Sequence, residues 1–233
     1  MVTVGTFASI AVRKFNLVKE LDAKGLIFLG VTDPVRAGLV KSIDGRHEDS
    51  EIAGARYGSG GIDYGKTLGS LFRPEQKLVF VYDKRTPQDT YVASDITYLK
   101  ETNGDNRFEL RGLERPVESG DLGDPNSPND THEIYFAWYG LDDILSDIGG
   151  IEILKEKRVT PSTYSPEILQ AAGIVVSVDD QKVGELGADI LLKNYLDANK
   201  KLGDEPVAMP PFKIWTDCDT INRKGIKLIS GHC

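Results

Sequence analysis

The feature that most constrains the fold of this chain is an alternation of short runs rich in β-branched residues with longer stretches of helical periodicity. Strands that alternate with helices are typical of α/β proteins, in which helices cover a mainly parallel sheet. Strands are predicted at residues 1–4, 25–31, 77–82, 107–113, 133–137, 158–161, 173–178 and 211–216. Helices are predicted at residues 7–22, 35–42, 63–72, 141–155, 165–172 and 181–200. The pattern therefore predicts an α/β fold.

The charge of the chain limits its partners. Among 233 residues, 28 Lys and Arg stand against 36 Asp and Glu, which gives a net charge of −8. We expect no nucleic-acid partner, because an acidic chain lacks the positive surface that phosphate backbones attract.

The longest apolar runs fall far short of the roughly 20 residues that span a membrane. Residues 1–10 also lack the pattern of a secretion signal, which predicts a cytoplasmic protein if the chain is complete.

Motifs for enzyme chemistry are missing from the sequence. The two cysteines, Cys218 and Cys233, are too few for a disulfide framework, and no Cys/His spacing suggests a zinc site. The sequence has no GxSxG elbow, no HExxH motif and no setting for a reactive cysteine. We therefore predict that the protein is not an enzyme and has no catalytic residue, no metal site and no cofactor.

One segment matches a nucleotide-binding motif. Residues 60–67 have the sequence GGIDYGKT, which satisfies the phosphate-binding pattern GxxxxGK[ST]. A phosphate-binding loop leaves a buried strand and enters a long helix, whereas residues 50–58 form a weak strand at best and Pro74 ends the following helix early. Ile62 and Tyr64 also occupy loop positions where small residues are usual. We interpret this segment as a glycine-rich connection, and a P-loop nucleotide-binding protein remains the alternative.

Small polar residues follow two of the predicted strands. Gly5 and Thr6 come after the first strand, and Thr32 and Asp33 come after the second, with Pro34 at the first position of a predicted helix. Ligands of open α/β sheets bind at the carboxyl ends of the strands, and a helix N-terminus there favours a carboxylate or phosphate. Helix capping alone explains either segment. Because two such segments occur on one predicted sheet, an anion site and simple capping both remain open interpretations.

Residues 25–42 have the sequence GLIFLGVTDPVRAGLVKS, which resembles ABC transporter substrate-binding proteins of the tryptophan/tyrosine-binding type. Members of that family carry a strand that ends in VTDP and is followed by AGLV. Other segments resemble family motifs in the same order along the chain, namely residues 4–6 (IGT), 52–54 ([IV]TG), 74–82 (PxxKx[IV]x[VI]xY), 177–184 (GVDYxxLG) and 214–226 (the family's closing segment). The resemblance therefore extends over nearly the whole chain.

The resemblance implies a fold similar to type I periplasmic binding proteins, with two doubly wound lobes that close on a small molecule. Lobe one would comprise residues 1–75 and 176–203, and lobe two residues 76–175 and 204–233. Family members begin with a signal segment and a strand–helix–strand–helix unit, so this chain resembles a copy that lacks the N-terminal part of its first lobe. The family also implies a periplasmic or extracytoplasmic location and an ABC permease as partner.

The family likeness and the helix starts together predict a ligand site. Gly5, Thr6, Thr32 and Asp33 would hold a carboxylate, and Asp179 would pair with an amino group. An aromatic or apolar side chain of the ligand would lie against Trp138, Tyr139 or Tyr164. These groups fit an amino acid, possibly an aromatic one.

Two further expectations concern partners. The missing first strands would leave an unpaired sheet edge in lobe one, and such an edge predicts a homodimer. A cytoplasmic ligand-sensing lobe that acts through a partner protein is a second alternative function.

Overall fold

The computed structural model describes residues 1–22, 24–44, 51–57, 60–124, 132–136, 150–196, 202, 206–229 and 233. The chain divides into two compact units. Unit 1 comprises residues 1–60 and 178–211, and unit 2 comprises residues 61–177 and 212–233. Both units combine parallel strands with helices, so the predicted α/β class is confirmed.

Unit 1 is built on a parallel three-stranded sheet in the order β1-β2-β3. Its elements are β1 (Val2–Val4), α1 (Thr6–Lys14), α2 (Leu17–Glu20), β2 (Leu26–Val31), β3 (Ile52–Arg56) and α7 (Asp180–Leu196). Val12 of α1 packs with Phe28 on one face of the sheet. Ile190 of α7 packs with Ile27 and Ala53 on the other face. The two helices therefore enclose β2 and β3, whose side chains form the core of the unit.

Two helix predictions in unit 1 are wrong in detail. The single helix predicted at residues 7–22 is split, because Asn16 adopts a left-handed conformation with φ 53° between α1 and α2. The helix predicted at residues 35–42 is a series of turns, in which the Leu39 and Val40 amides both donate to the Pro34 carbonyl. Gly38 has φ 69° there, and this left-handed residue prevents a regular helix.

Unit 2 is built on a parallel four-stranded sheet in the order β5-β4-β6-β7. Its first elements are α3 (Gly61–Leu71), β4 (Lys77–Asp83), α4 (Pro87–Asn103), β5 (Phe108–Leu113) and β6 (Glu133–Phe136). They are followed by α5 (Gly150–Glu156), β7 (Val159–Thr160), α6 (Pro166–Ala172), β8 (Ile174–Val178), β9 (Phe212–Thr216) and α8 (Cys218–Arg223). Strands β8 and β9 form a separate pair.

The core of unit 2 lies around β4, which has a neighbouring strand on each side. Phe80 of β4 is fully buried, and its ring stacks on Phe136 of β6 with centroids 5.1 Å apart. Helix α4, which the sequence pattern did not predict, contributes Val92, Ile96 and Leu99 to the buried residues. These three apolar positions make a narrow stripe on an otherwise polar helix, which explains why the helix was missed.

The two cysteines form one disulfide bond, between Cys218 at the start of α8 and the C-terminal Cys233. Their Cα atoms are 5.6 Å apart. This single bond joins the end of the chain to unit 2. Within the described residues, no helix is long and apolar enough to cross a membrane.

Candidate functional site

The structure brings the two predicted anion-binding segments together. The Gly5 amide donates to the Leu29 carbonyl at 2.8 Å, which holds the start of α1 beside the end of β2. The Thr6 hydroxyl oxygen then accepts a hydrogen bond from the Thr32 amide at 3.3 Å. Both threonine side chains are buried. Gly5, Thr6 and Thr32 therefore lie together at the carboxyl ends of β1 and β2, as the spacing predicted.

Asp33 caps the turn that follows β2, and its predicted role in holding a ligand stays a prediction. Its Oδ1 accepts hydrogen bonds from the amides of Val35 at 3.0 Å and Arg36 at 2.9 Å, and its Oδ2 lies 3.5 Å from Arg36 Nε. The carboxylate therefore stabilises the turn after β2. Because no helix begins there, the interpretation of Pro34 as a first helical residue is wrong, and no helix dipole acts at this position.

Arg56 is a candidate that the sequence pattern did not reveal. It ends β3, is 8% exposed, and donates from Nη2 to the Thr32 carbonyl at 3.1 Å. Its Nη1 lies 4.0 Å from the Met209 sulfur. Thr32 thus contacts the Thr6 hydroxyl through its amide and the Arg56 guanidinium through its carbonyl. The signal was missed because β3 was not recognised as a strand, so the position of Arg56 at a strand end was not apparent.

Asp179 belongs to unit 1 and stands immediately before α7. Its Oδ1 accepts a hydrogen bond from the Lys182 amide at 3.2 Å, so it caps that helix. Desolvation, together with the neighbouring Asp179 carboxylate, raises the pKa of Asp180. The two adjacent carboxylates, Asp179 and Asp180, thus stand together at the start of α7. A role for Asp179 in pairing with an amino group stays a prediction.

Of the three aromatic residues predicted to contact the ligand, the structure describes one, Tyr164. Tyr164 follows β7 in unit 2 and is 39% exposed, and its ring stacks on Trp215 with centroids 4.5 Å apart and an interplanar angle of 22°. Trp138 and Tyr139 lie outside the described residues. Trp215 was not among the predicted site residues, because nothing local in the sequence of β9 indicates that it meets Tyr164.

Unit 2 also has a group of polar residues at the end of a strand, where β4 ends and α4 begins. Asp83, the last residue of β4, is buried and pairs with Arg85 at 2.7 Å, and the hydrogen bond from Arg85 lowers the pKa of the Asp83 carboxyl. Gln88 in the first turn of α4 is fully buried. Among the described residues, neither its amide oxygen nor its amide nitrogen has a hydrogen-bond partner. An unpaired buried amide is costly, so this position suits a polar ligand or water.

Comparison with known proteins adds the fold relationship. No protein-family model matches this chain, and neither does any curated protein. Among solved structures, it resembles an ABC domain in complex with L-Trp from Streptococcus pneumoniae, at 13% identity and a TM-score of 0.66, with 98% of this chain and 74% of that one covered. It also resembles a ligand-free, open substrate-binding protein with adhesive properties from Clostridium difficile, at 16% identity and a TM-score of 0.63, with 99% and 75% covered.

A third similar structure is a periplasmic ribose ABC transporter protein from Conexibacter woesei, at 14% identity and a TM-score of 0.50, with 95% of this chain and 93% of that one covered. The fold is that of the type I periplasmic binding proteins. At these identities the likeness establishes the architecture alone. In this binding-protein fold, Thr6, Thr32 and Arg56 of unit 1 stand at strand carboxyl ends, the edge at which open α/β sheets bind ligands.

The nucleotide-like motif at residues 60–67 lies almost entirely within helix α3. Helix α3 begins at Gly61, so Gly65, Lys66 and Thr67 lie inside the helix, and these described residues form no phosphate-binding loop. The Gly61 amide donates to the Asp95 carboxylate at 3.2 Å, which places a negative charge at the helix start. A Cβ at Gly65 would come within 2.5 Å of Ile96, so this glycine permits close packing of α3 against α4.

Proposed function

We propose that this chain is the solute-binding component of an ABC importer, and that it binds an amino acid without catalysing a reaction. The similar structures support this proposal, because they include an ABC domain in complex with L-Trp, a substrate-binding protein and a ribose ABC transporter protein. The proposal rests on one local observation in unit 1, which concerns the surroundings of Thr32.

The observation that carries the proposal is the set of bonds around Thr32. Its amide is held by the Thr6 hydroxyl and its carbonyl by the Arg56 guanidinium, and all three residues are buried. A guanidinium presents several N–H donors in a planar fork that matches a carboxylate, and a hydroxyl beside it adds a further donor. These groups together suit the carboxylate of an amino acid.

The remaining contacts of the proposed site come from the other candidates. Asp179 pairs with the ammonium group of the amino acid, since its carboxylate lies at the start of α7 in unit 1. The Tyr164 and Trp215 rings lie against an aromatic or apolar side chain, and the Gln88 amide bonds to a polar atom of the ligand. A charged contact to a ligand contributes about 1.5 to 3 kcal/mol, whereas an aromatic pair contributes about 0.5 to 1.5 kcal/mol.

The proposed location is extracytoplasmic, with an ABC permease as partner. The Cys218–Cys233 disulfide supports this location, because disulfides persist in oxidising compartments and are rare in the cytosol. The test is the redox state of the two cysteines in protein prepared from cells without reduction. Quantitative alkylation of both thiols before reduction would contradict an oxidising location.

We also propose that a second copy of the chain pairs with the free edge of β1. Among the described residues β1 pairs only with β2, through the backbone groups of Met1 and Gly5. The backbone groups of Val2 and Val4 therefore point to the opposite edge, and their side chains are 53% and 72% exposed. Two uncharged edges of this kind can pair about a two-fold axis without charge repulsion.

Sedimentation of the wild type and of Val4→Lys tests this pairing. A lysine in the edge strand hinders strand pairing, so we expect the wild type to sediment as a dimer and the variant as a monomer. Thr97→Lys is the matched control, because it adds the same charge at an exposed position of α4. A monomeric wild type would contradict the proposal.

Calorimetric titration with each of the twenty amino acids tests the proposed function. We expect at least one amino acid to bind with micromolar affinity, and Arg56→Gln to weaken that binding at least tenfold. Arg13→Gln is the matched control, because Arg13 also donates to a backbone carbonyl of unit 1, that of Leu39 at 2.7 Å, but lies in the last turn of α1. Absence of binding below millimolar concentration for all twenty would overturn the proposal.

A further inference from the structure

A charged cavity of about 590 Å³ lies in unit 2, at the amino ends of its sheet strands. Arg158 immediately precedes β7, and its carbonyl accepts a hydrogen bond from the amide of Tyr135 in β6. The cavity therefore lies at the edge of the sheet opposite the carboxyl ends. Its lining consists of Asp124, Lys155, Glu156, Lys157, Arg158, Arg223 and Lys224.

The lining carries a local charge opposite to that of the chain. Five cationic side chains face two carboxylates, which leaves an excess of three positive charges around the cavity, whereas the whole chain has a net charge of −8. A concentration of one sign of charge in a concave site raises the local concentration of ions of the opposite sign. The cavity therefore attracts anions that the rest of the surface repels.

Hydrogen bonds from cationic side chains to neutral carbonyls hold the cavity together. Lys224 Nζ donates to the carbonyls of Leu154 and Lys157, the latter at 2.9 Å. Arg158 Nε donates to the Lys224 carbonyl at 2.9 Å, and Lys157 Nζ donates to the Gly123 carbonyl at 2.6 Å. These bonds fix the ends of α5 and α8 and the loop at Gly123 relative to one another, and they bring the cationic groups together at the cavity.

Helix capping explains only part of this cluster. A cation beside the last carbonyls of a helix is stabilised there, and Lys224 has this position at the end of α5. Arg223 has no such role, because it donates to the Thr220 hydroxyl of its own helix at 2.9 Å. Lys155 is exposed and pairs with Glu152 on its own helix. Arg223 and Lys155 are both exposed at the cavity, and these bonds are to residues of their own helices.

Crowding of positive charge is evident at Lys224. Burial, and then the nearby charges of Arg223 and Arg158, lower the pKa of its ammonium group to about 8. The other charged groups around the cavity are Lys155 and Glu156 on α5, Lys157 before β7 and Asp124 beyond the Gly123 loop. An anion in the cavity would favour the protonated ammonium and raise this pKa.

We propose that this cavity binds a small polyvalent phosphate anion, such as pyrophosphate or a phosphate ester, at a site separate from that of the transported solute. Lysine and arginine side chains are the usual protein partners of phosphate oxygens, and the cavity volume lies within the range of small-molecule sites. An excess of three positive charges favours a polyvalent anion over a monovalent one. The proposal does not depend on the function proposed above.

Calorimetric titration with inorganic pyrophosphate tests this site. We expect saturable binding to the wild type and at least tenfold weaker binding to the double variant Arg223→Gln, Lys155→Gln, because each lost charged contact is worth about tenfold or more. The matched control is Lys66→Gln, Lys193→Gln, which removes the same charge from exposed positions of α3 and α7. Absence of saturable binding by the wild type, or an equal loss in the control, would overturn the proposal.

Proton uptake at pH 8 gives a second readout that a purely structural role of Lys224 would not produce. Sulfate is the probe, because this divalent anion does not titrate near that pH. Titrations in two buffers of different ionisation enthalpy should show fractional proton uptake by the wild type, since binding raises the Lys224 pKa from about 8. We expect Lys224→Met to abolish the uptake, and equal heats in both buffers for the wild type would contradict the assignment.

Discussion

The two units differ most in how their sheets are covered. In unit 1, β1 pairs on one side only among the described residues, and Val4 is 72% exposed although Ile27 and Ala53 on the same face are covered by α7. In unit 2, β4 pairs on both sides and Phe80 is fully buried. Similar apolar residues therefore contribute very differently to the two units. Neighbouring strands and helices decide this contribution, since burial is what makes an apolar side chain stabilising.

The largest expected effect comes from removing a buried ring in unit 2. Phe80→Ala should lower the free energy of unfolding by about 3 to 5 kcal/mol, because it removes apolar burial and leaves a cavity. Val4→Ala in unit 1 is the comparison, and it should change this free energy by less than about 0.5 kcal/mol. Urea unfolding at a protein concentration at which the chain sediments as a monomer measures both values. Similar losses in the two variants would contradict the difference between the units.

The disulfide should give the next largest effect, confined to unit 2. Replacing both Cys218 and Cys233 by serine should cost about 3 kcal/mol, because the bond closes a loop with a sequence separation of 15 residues. Reduction of the wild type should produce the same loss in urea unfolding. An unfolding curve that is unchanged by reduction would show that the bond does not constrain the chain.

A smaller, pH-dependent effect is expected where the end of α3 meets β5. The hydrogen bond from Arg107 lowers the pKa of Asp105, and Arg107 also donates to the carbonyls of Gly69 and Phe72, each at 3.0 Å. A lowered carboxyl pKa stabilises the fold above the unfolded-state pKa, and this contribution disappears as pH falls through the folded-state value. Asp105→Asn should therefore cost about 1 to 3 kcal/mol at pH 7.

The difference between Asp105→Asn and the wild type should shrink as the pH falls below the unfolded-state pKa of Asp105 and through its lowered folded-state pKa. Asp63→Asn is the matched control, because Asp63 pairs with Lys66 on the exposed face of α3. It should cost at most about 1 kcal/mol. A pH-independent difference for Asp105→Asn would show that the carboxylate charge is not its source.

The smallest stability effect compares two helix caps, one in each unit. Asp179 accepts from the Lys182 amide and Ser165 accepts from the Ile168 amide, so replacing either by alanine should cost about 1 kcal/mol. Only Asp179→Ala should also weaken amino-acid binding, by at least tenfold. Thermal unfolding and calorimetry measure the two effects. An unchanged affinity in Asp179→Ala would restrict Asp179 to its capping role.

The sequence was sufficient to predict the strands that are continuously apolar. β2 and β4 consist largely of buried apolar residues, so their pattern does not depend on which face is covered. β3 has the sequence IAGAR, in which small residues hide the strand, although all five positions are buried. α4 was missed because its apolar stripe is narrow. The hydrophobic pattern thus detected the strands with many large apolar residues. It missed β3 and α4, whose apolar residues are small or few.

The candidate site, like the fold, was predicted only in part from the sequence. The positions of Thr6 and Thr32 followed from strand ends, and the structure confirms that they are in contact. The turn at Asp33 was predicted as a helix start, because the same residue types cap turns and helices. Arg56 and Trp215 could not be found, since their contacts with Thr32 and Tyr164 join segments that are distant in the sequence.

The central proposal is that the groups around Thr32 in unit 1 hold the carboxylate of an amino acid, and the affinity of one ligand for two arginine variants tests it most directly. For the best-binding amino acid, calorimetry should show a loss of at least tenfold for Arg56→Gln and no loss for Arg13→Gln, whose guanidinium donates to the Leu39 carbonyl instead of the Thr32 carbonyl. Thermal unfolding should show that both variants remain folded. Equal affinities of Arg56→Gln and the wild type would contradict the proposal.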